Sequence, residues 1–68
     1  MKISINGAER QVNPELTVYQ LLSELGMDPQ RRGIAVAVDG EVVFRQHWQE
    51  RVLQPGSQVE IVRAVAGG

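Results

Sequence analysis

Cysteine is absent from this 68-residue chain. That omission excludes disulfides, thiolate metal sites, redox pairs and any persulfide on a side chain, so any sulfur chemistry would have to occur on the main chain. Long apolar runs are missing as well. The longest, Ile34 to Val38, is far too short to span a bilayer, and no secretory leader opens the chain. The expected location is therefore cytoplasmic, with no membrane partner. Basic clusters are scarce: Arg31-Arg32 is the only basic doublet in a chain of net charge −1, so nucleic acid is not an expected partner. Lysine occurs once, as Lys2, which disfavours polymeric chains built on the protein's own lysines but not a single attachment.

Length is also in short supply. A chain of 68 residues has room for one domain, buries only about 60% of its unfolded surface, and cannot enclose a catalytic cleft of ordinary size. This favours a carrier, adaptor or binding module over an independent enzyme. What is present is globular in character, with 43% hydrophobic and 22% charged residues.

Lys2-Ile3-Ser4-Ile5 alternates polar and apolar and predicts a half-buried strand. Asn6-Gly7 is a strong hairpin turn, since both residues tolerate positive φ, and Glu9 to Val12 is the expected return strand before Asn13-Pro14 breaks the ladder. Thr17 and Gln20 are spaced for a capping box, Val18, Leu21, Leu22 and Leu25 form one apolar stripe, and Gly26 supplies the stop. So short a helix must lie on a sheet to be stable. Met27 to Gly33 is a polar loop. Ile34 to Val38 and Glu41 to Phe44 form a second hairpin about Asp39-Gly40, Arg45 to Arg51 is irregular, and Pro55-Gly56 turns into a strand over Gln58 to Arg63 with Val59 and Ile61 on one face.

Two hairpins around a lone helix predict an α+β fold. We expect a ubiquitin-like β-grasp, a mixed five-stranded sheet packed on one α-helix, with the last strand parallel to the first at the centre. Residues 1–68 form the single domain, and 64–68 are its extended, flexible C-terminal Gly-Gly tail.

The tail is the most informative segment. Gly67-Gly68 has no Cβ on either residue, so its backbone fits a slot too narrow for any other pair. Two glycines at a chain end arise by chance in roughly half a per cent of sequences, a moderate signal until a compact domain precedes it. Val65 to Gly68 fully extended reaches roughly 13 Å, enough to thread into a buried site while the domain stays outside. The expected reactive group is the terminal carboxylate of Gly68, with Gly67, Ala66 and Val65 as the thread.

Over its full length the chain resembles the ThiS-type sulfur carrier proteins of thiamine thiazole biosynthesis, within the ubiquitin-like superfamily. The likeness rests on the Ala64-Val65-Ala66-Gly67-Gly68 ending, the Thr17-Val18-Tyr19-Gln20-Leu21-Leu22 helix entry, the Ala35 to Val43 hairpin, and Arg45 and Trp48 in the family's Arg-x-x-Trp segment. Phe44 stands where that family usually has Pro, and Asp39 where it often has Asn. The resemblance implies that a ThiF/MoeB-like adenylating enzyme activates Gly68 with ATP and Mg held at its own site, the carrier itself binding no cofactor. A sulfur donor such as a cysteine desulfurase then converts the adenylate to a thiocarboxylate, and thiazole synthase receives the sulfur.

Other polar residues carry weaker expectations. His47 has no metal-ligand partners at useful spacing and reads as a surface or capping histidine, with no metal site expected. Glu50 and Asp39 are unpaired in sequence and have no catalytic role. Trp48 reads as an anchor packing the irregular segment against the sheet, Phe44 and Ala64 as candidates for partner docking, and Arg31-Arg32 as a solvated loop. Three other readings of the chain remain open at this point: a sulfur carrier of molybdopterin synthesis, a ubiquitin-like modifier joined to lysines, and a docking module with an incidental tail. The small subunit of molybdopterin synthase is usually longer, with prolines before its last residues, and this chain has none there.

Overall fold

The turns set the pairing. In the computed structural model, which describes residues 1–64, Asn6 and Gly7 take φ 50° and 86°, and Asp39 and Gly40 take φ 51° and 84°. These are two-residue turns of the primed kind, whose twist matches that of the strands they join. Such a turn leaves no slack in register: Ile5 must oppose Ala8, so the returning strand runs Ala8–Gln11 and not Glu9 to Val12 as the residue pattern suggested. Val12 lies just past it, buried, its N–H donating to the Met1 carbonyl at 2.8 Å.

The elements follow in the expected order: β1 Lys2–Ile5, β2 Ala8–Gln11, α1 Val18–Glu24, β3 Ile34–Val38, β4 Glu41–Val43, a short 3₁₀ turn Arg45–His47, and β5 Gln58–Arg63. They build a five-stranded sheet in the order β2-β1-β5-β3-β4. β1 and β5 are parallel at its centre and the other pairings antiparallel, with α1 as the one helix. The β-grasp expectation is met. The tail reading on Val65, Ala66, Gly67 and Gly68 lies outside the described residues.

α1 starts as its sequence dictates. The Thr17 hydroxyl accepts from the Gln20 N–H at 3.1 Å, and the Gln20 side chain accepts from the Thr17 N–H at 3.0 Å. The first two helical amides are satisfied from far along the chain: Val18 donates to the Arg51 carbonyl at 2.9 Å and Tyr19 to the Trp48 carbonyl at 3.0 Å. These amides have no partner within the helix. The segment after β4 is therefore a cap for α1, which explains why it lacks a strand's periodicity. At the other end Gly26 donates to Ser23 at 3.0 Å and Met27 to Leu22 at 2.9 Å, the paired bonds of a Schellman stop.

The apolar stripe lands where its spacing requires. Val18, Leu21 and Leu22 are fully buried against Ile3, Val36, Val38, Val43 and Val59, with Leu16, Leu53 and Trp48 closing the edges. Trp48 is 2% exposed and its Nε1–H donates to the Val43 carbonyl at 2.8 Å. The packing role read for it holds, and the bond removes the penalty of burying an indole N–H.

Candidate functional site

β5 is the element that carries the tail, and its two halves are held differently. Its first residues pair with β1 through Ser4↔Gln58 and Ile5↔Val59. β1 then ends, and the Asn6 side chain takes over: its Oδ1 accepts from the Ile61 N–H at 2.9 Å and its Nδ2 donates to the Ile61 carbonyl at 3.2 Å. One amide side chain thus imitates a strand residue. On the other side β3 follows β5 to its end, from Val38↔Val59 to Ile34↔Arg63. Beyond the strand, the Ala64 N–H donates to the Gly33 carbonyl at 2.7 Å. Ala64 is exposed, and it is where the described chain stops.

The sheet face away from α1 is apolar at this same end. Side chains alternate along a strand, so the sequence neighbours of buried Val36, Val38 and Val43 point outward. Register sets Val42 beside Ala37 and Val62 beside Ala35, and Phe44 lies two residues beyond Val42. Val42, Phe44 and Val62 are 63%, 65% and 64% exposed. Alanines between larger side chains make a shallow floor with raised sides. Large apolar groups gathered on one exposed face are the usual mark of a contact surface.

Of the two docking candidates taken from sequence, Phe44 sits on this face and Ala64 at the strand end beside it. Val42 and Val62 were missed. Their signal was present, because Glu41 to Phe44 and Gln58 to Arg63 each carry apolar residues at both parities, more than a half-buried strand needs.

The two departures from the family pattern have structural accounts. Phe44 has φ −69° and ψ 148°, a backbone that proline itself would impose, so the exchange alters only the exposed side chain. β4 stops at Val43 because Phe44 already caps the start of the 3₁₀ turn, its carbonyl accepting from the His47 N–H at 2.8 Å. The Asp39 Oδ1 accepts from the Gln58 N–H at 2.9 Å, which an asparagine oxygen does equally well.

The remaining polar residues form no catalytic constellation among the described residues. Glu50, unpaired in sequence, lies 3.5 Å from His47 Nδ1 in an exposed contact one turn apart. Such a pair is worth little in water. No group of three or more metal-ligating side chains occurs among the described residues, and no helix among them is long and apolar enough to cross a membrane.

An α+β grasp with this strand order and one helix defines a ubiquitin-like domain. Comparison with known proteins narrows this. The ThiS family model matches residues 3–68. The Escherichia coli sulfur carrier protein ThiS is 32% identical over 68 residues, all of both chains. A thiazole synthase of Paramagnetospirillum magneticum is 38% identical over the same length, which is all of this chain but only 20% of that protein. The crystal structure of the thiamine biosynthesis protein ThiS from Geobacter metallireducens superposes with a TM-score of 0.83 at 30% identity, covering all of both chains. Its solution structure gives 0.80, covering all of this chain and 88% of that one. This chain belongs to the ThiS family.

Proposed function

We propose that this chain carries sulfur for thiamine biosynthesis as a thiocarboxylate on the backbone of Gly68. The coarse role, a sulfur carrier of thiamine biosynthesis, comes with membership of the family. The observation supporting the finer chemistry is that the family match runs through Gly67-Gly68 to residue 68, the segment on which composition and spacing had already placed the reactive group.

A backbone carboxyl is an anion at neutral pH and a poor electrophile. Activation therefore comes first. A ThiF/MoeB-like enzyme joins the Gly68 carboxylate to the α-phosphorus of ATP and releases pyrophosphate, with Mg held at that enzyme's own site to offset phosphate charge. A sulfur nucleophile at the sulfide oxidation level, released by a thiol reductant from the persulfide of a donor such as a cysteine desulfurase, then attacks the acyl carbon. AMP leaves, and a thiocarboxylate remains on Gly68. Thiazole synthase takes the sulfur from it. A thiazole synthase that contains a stretch 38% identical to this carrier supports the pairing of the two.

In this scheme the chain is a co-substrate and not a catalyst. It binds no cofactor, and it works in the cytoplasm, where the ATP spent on its activation is found. Val42, Phe44, Val62 and Ala64 dock the partner, while Val65, Ala66 and Gly67 thread Gly68 into its active site. Fixing the domain on the outside supplies part of the orientation that the acyl transfer needs.

Intact mass of the purified chain, after incubation with ATP, a sulfide source and the activating enzyme, tests the proposal. One oxygen-to-sulfur exchange at Gly68, located by fragmentation, is the expected result. Conjugates to other proteins, or no change in mass, contradict it.

A further inference from the structure

We infer that Arg45 is a positioning residue for the chemistry at Gly68, acting through the loop of residues 27–33 on Ala64, the root of the tail. The inference rests on the sulfur-carrier reading above and adds to it a reason for the Arg-x-x-Trp segment, which docking and threading leave unused.

Three alternate carbonyls of that loop face the end of the sheet. Those of Pro29 and Arg31 accept from Nη1 and Nη2 of Arg45, and that of Gly33 accepts from the Ala64 N–H at 2.7 Å. One guanidinium thus holds the loop at two points, and the loop's next carbonyl holds the strand end. A planar fork of donors can bridge two carbonyls, whereas a lysine ammonium is a point charge on a flexible stem.

The brace is seated on the core. The Arg45 guanidinium lies 4.5 Å from the centroid of the Trp48 ring, a cation–π stack on a side chain that is itself buried and bonded to Val43. Arg45 opens the 3₁₀ turn and Trp48 closes it, the Trp48 N–H donating to the Arg45 carbonyl at 3.1 Å. In a 3₁₀ turn residues three apart eclipse one another, so the Arg-x-x-Trp spacing is what stacking requires.

Gly33 completes the arrangement. Its φ is +89°, and a Cβ there meets the Ala64 oxygen at 3.4 Å and the Ala64 Cβ at 3.5 Å. A side chain at position 33 is strained by the backbone, and its Cβ lies in ordinary contact with the tail root. Within the loop, Arg31 donates to the Asp28 carbonyl at 3.0 Å and Gln30 to the Asp28 carboxylate at 2.9 Å. These bonds hold its turn but not its distance from β5; that distance is Arg45's part.

Releasing Ala64 returns backbone freedom that a partner must remove again on threading, and one freed residue lowers productive association about tenfold. Amide hydrogen exchange on Arg45→Met, which keeps an apolar stem over Trp48 without the donors, tests the brace directly. Exchange at Ala64 should speed at least tenfold while Leu21 in α1 and Leu25 at its C-cap keep their protection. Arg45→Lys, which retains the charge, should not restore it, and this variant carries the test if Arg45→Met fails to fold. In thiolation assays both variants should raise KM about tenfold with kcat unchanged, because the acyl chemistry begins only after threading. Unaltered exchange at Ala64 in a folded variant overturns the inference, as does faster exchange with unchanged KM, or full rescue by lysine. Wild-type protein that is never thiolated overturns the sulfur chemistry instead, since exchange at Ala64 reports on the brace by itself.

Discussion

Val36, Val38, Val43 and Val59 face α1 and are buried, while Val42 and Val62, on the same strands and of the same residue type, face outward and are largely exposed. Nothing in the side chain distinguishes the two sets; only their parity along the strand does. The inner face is closed by a helix of this same chain. The outer face is closed by nothing among the described residues, and it ends beside Ala64. Burial is therefore concentrated on one side of the sheet, and the docking proposed above lies on the other, which lets substitutions separate them.

The sharpest way to break this division is Leu21→Ala on the inner side. Leu21 is fully buried, and its truncation should remove about 2–5 kcal/mol, most of what a domain this small holds. The denaturation midpoint should collapse, and a midpoint that barely moves refutes the assignment of the core. Next comes Gly67→Ala, where a single methyl on the thread should slow thiocarboxylate formation about a hundredfold. Its denaturation midpoint should match that of the parent. Val42→Ser combined with Phe44→Ser attacks the outer face: affinity for the activating enzyme, measured by calorimetry, should fall about tenfold, and stability should stay within about 0.5 kcal/mol. A large loss of stability in that pair indicates that the outer face belongs to the core after all. Smallest is Thr17→Ala, which removes the helix cap and should cost about 1 kcal/mol in urea while leaving the rate of thiolation untouched.

Legibility in the sequence tracked the distance between interacting residues. Asn6-Gly7, Asp39-Gly40, the Thr17 and Gln20 capping box and the stripe from Val18 to Leu22 are local, and each is found where its spacing placed it. Asn6 was readable as a turn residue but not as the partner of Ile61, 55 residues away. Arg45 and Trp48 were readable as a spaced pair, not as a clamp, because the carbonyls of Pro29 and Arg31 lie 16 and 14 residues before Arg45. The irregular look of Arg45 to Arg51 had a tertiary cause: its carbonyls cap α1, a duty that leaves no periodic trace.

From residues alone came the absence of thiol chemistry, the two hairpins, the capped helix and the proposal of Gly68 as the reactive end. All of these depend on covalent makeup or on neighbours a few positions apart, where backbone sterics leave few alternatives. Folding decided which valines meet the helix and which stay exposed on the opposite face, and it brought Arg45, the loop of residues 27–33 and Ala64 into one line of contacts. Those outcomes depend on which strands lie side by side, and closing loops of that length is settled by the summed burial of the core and not by any local preference.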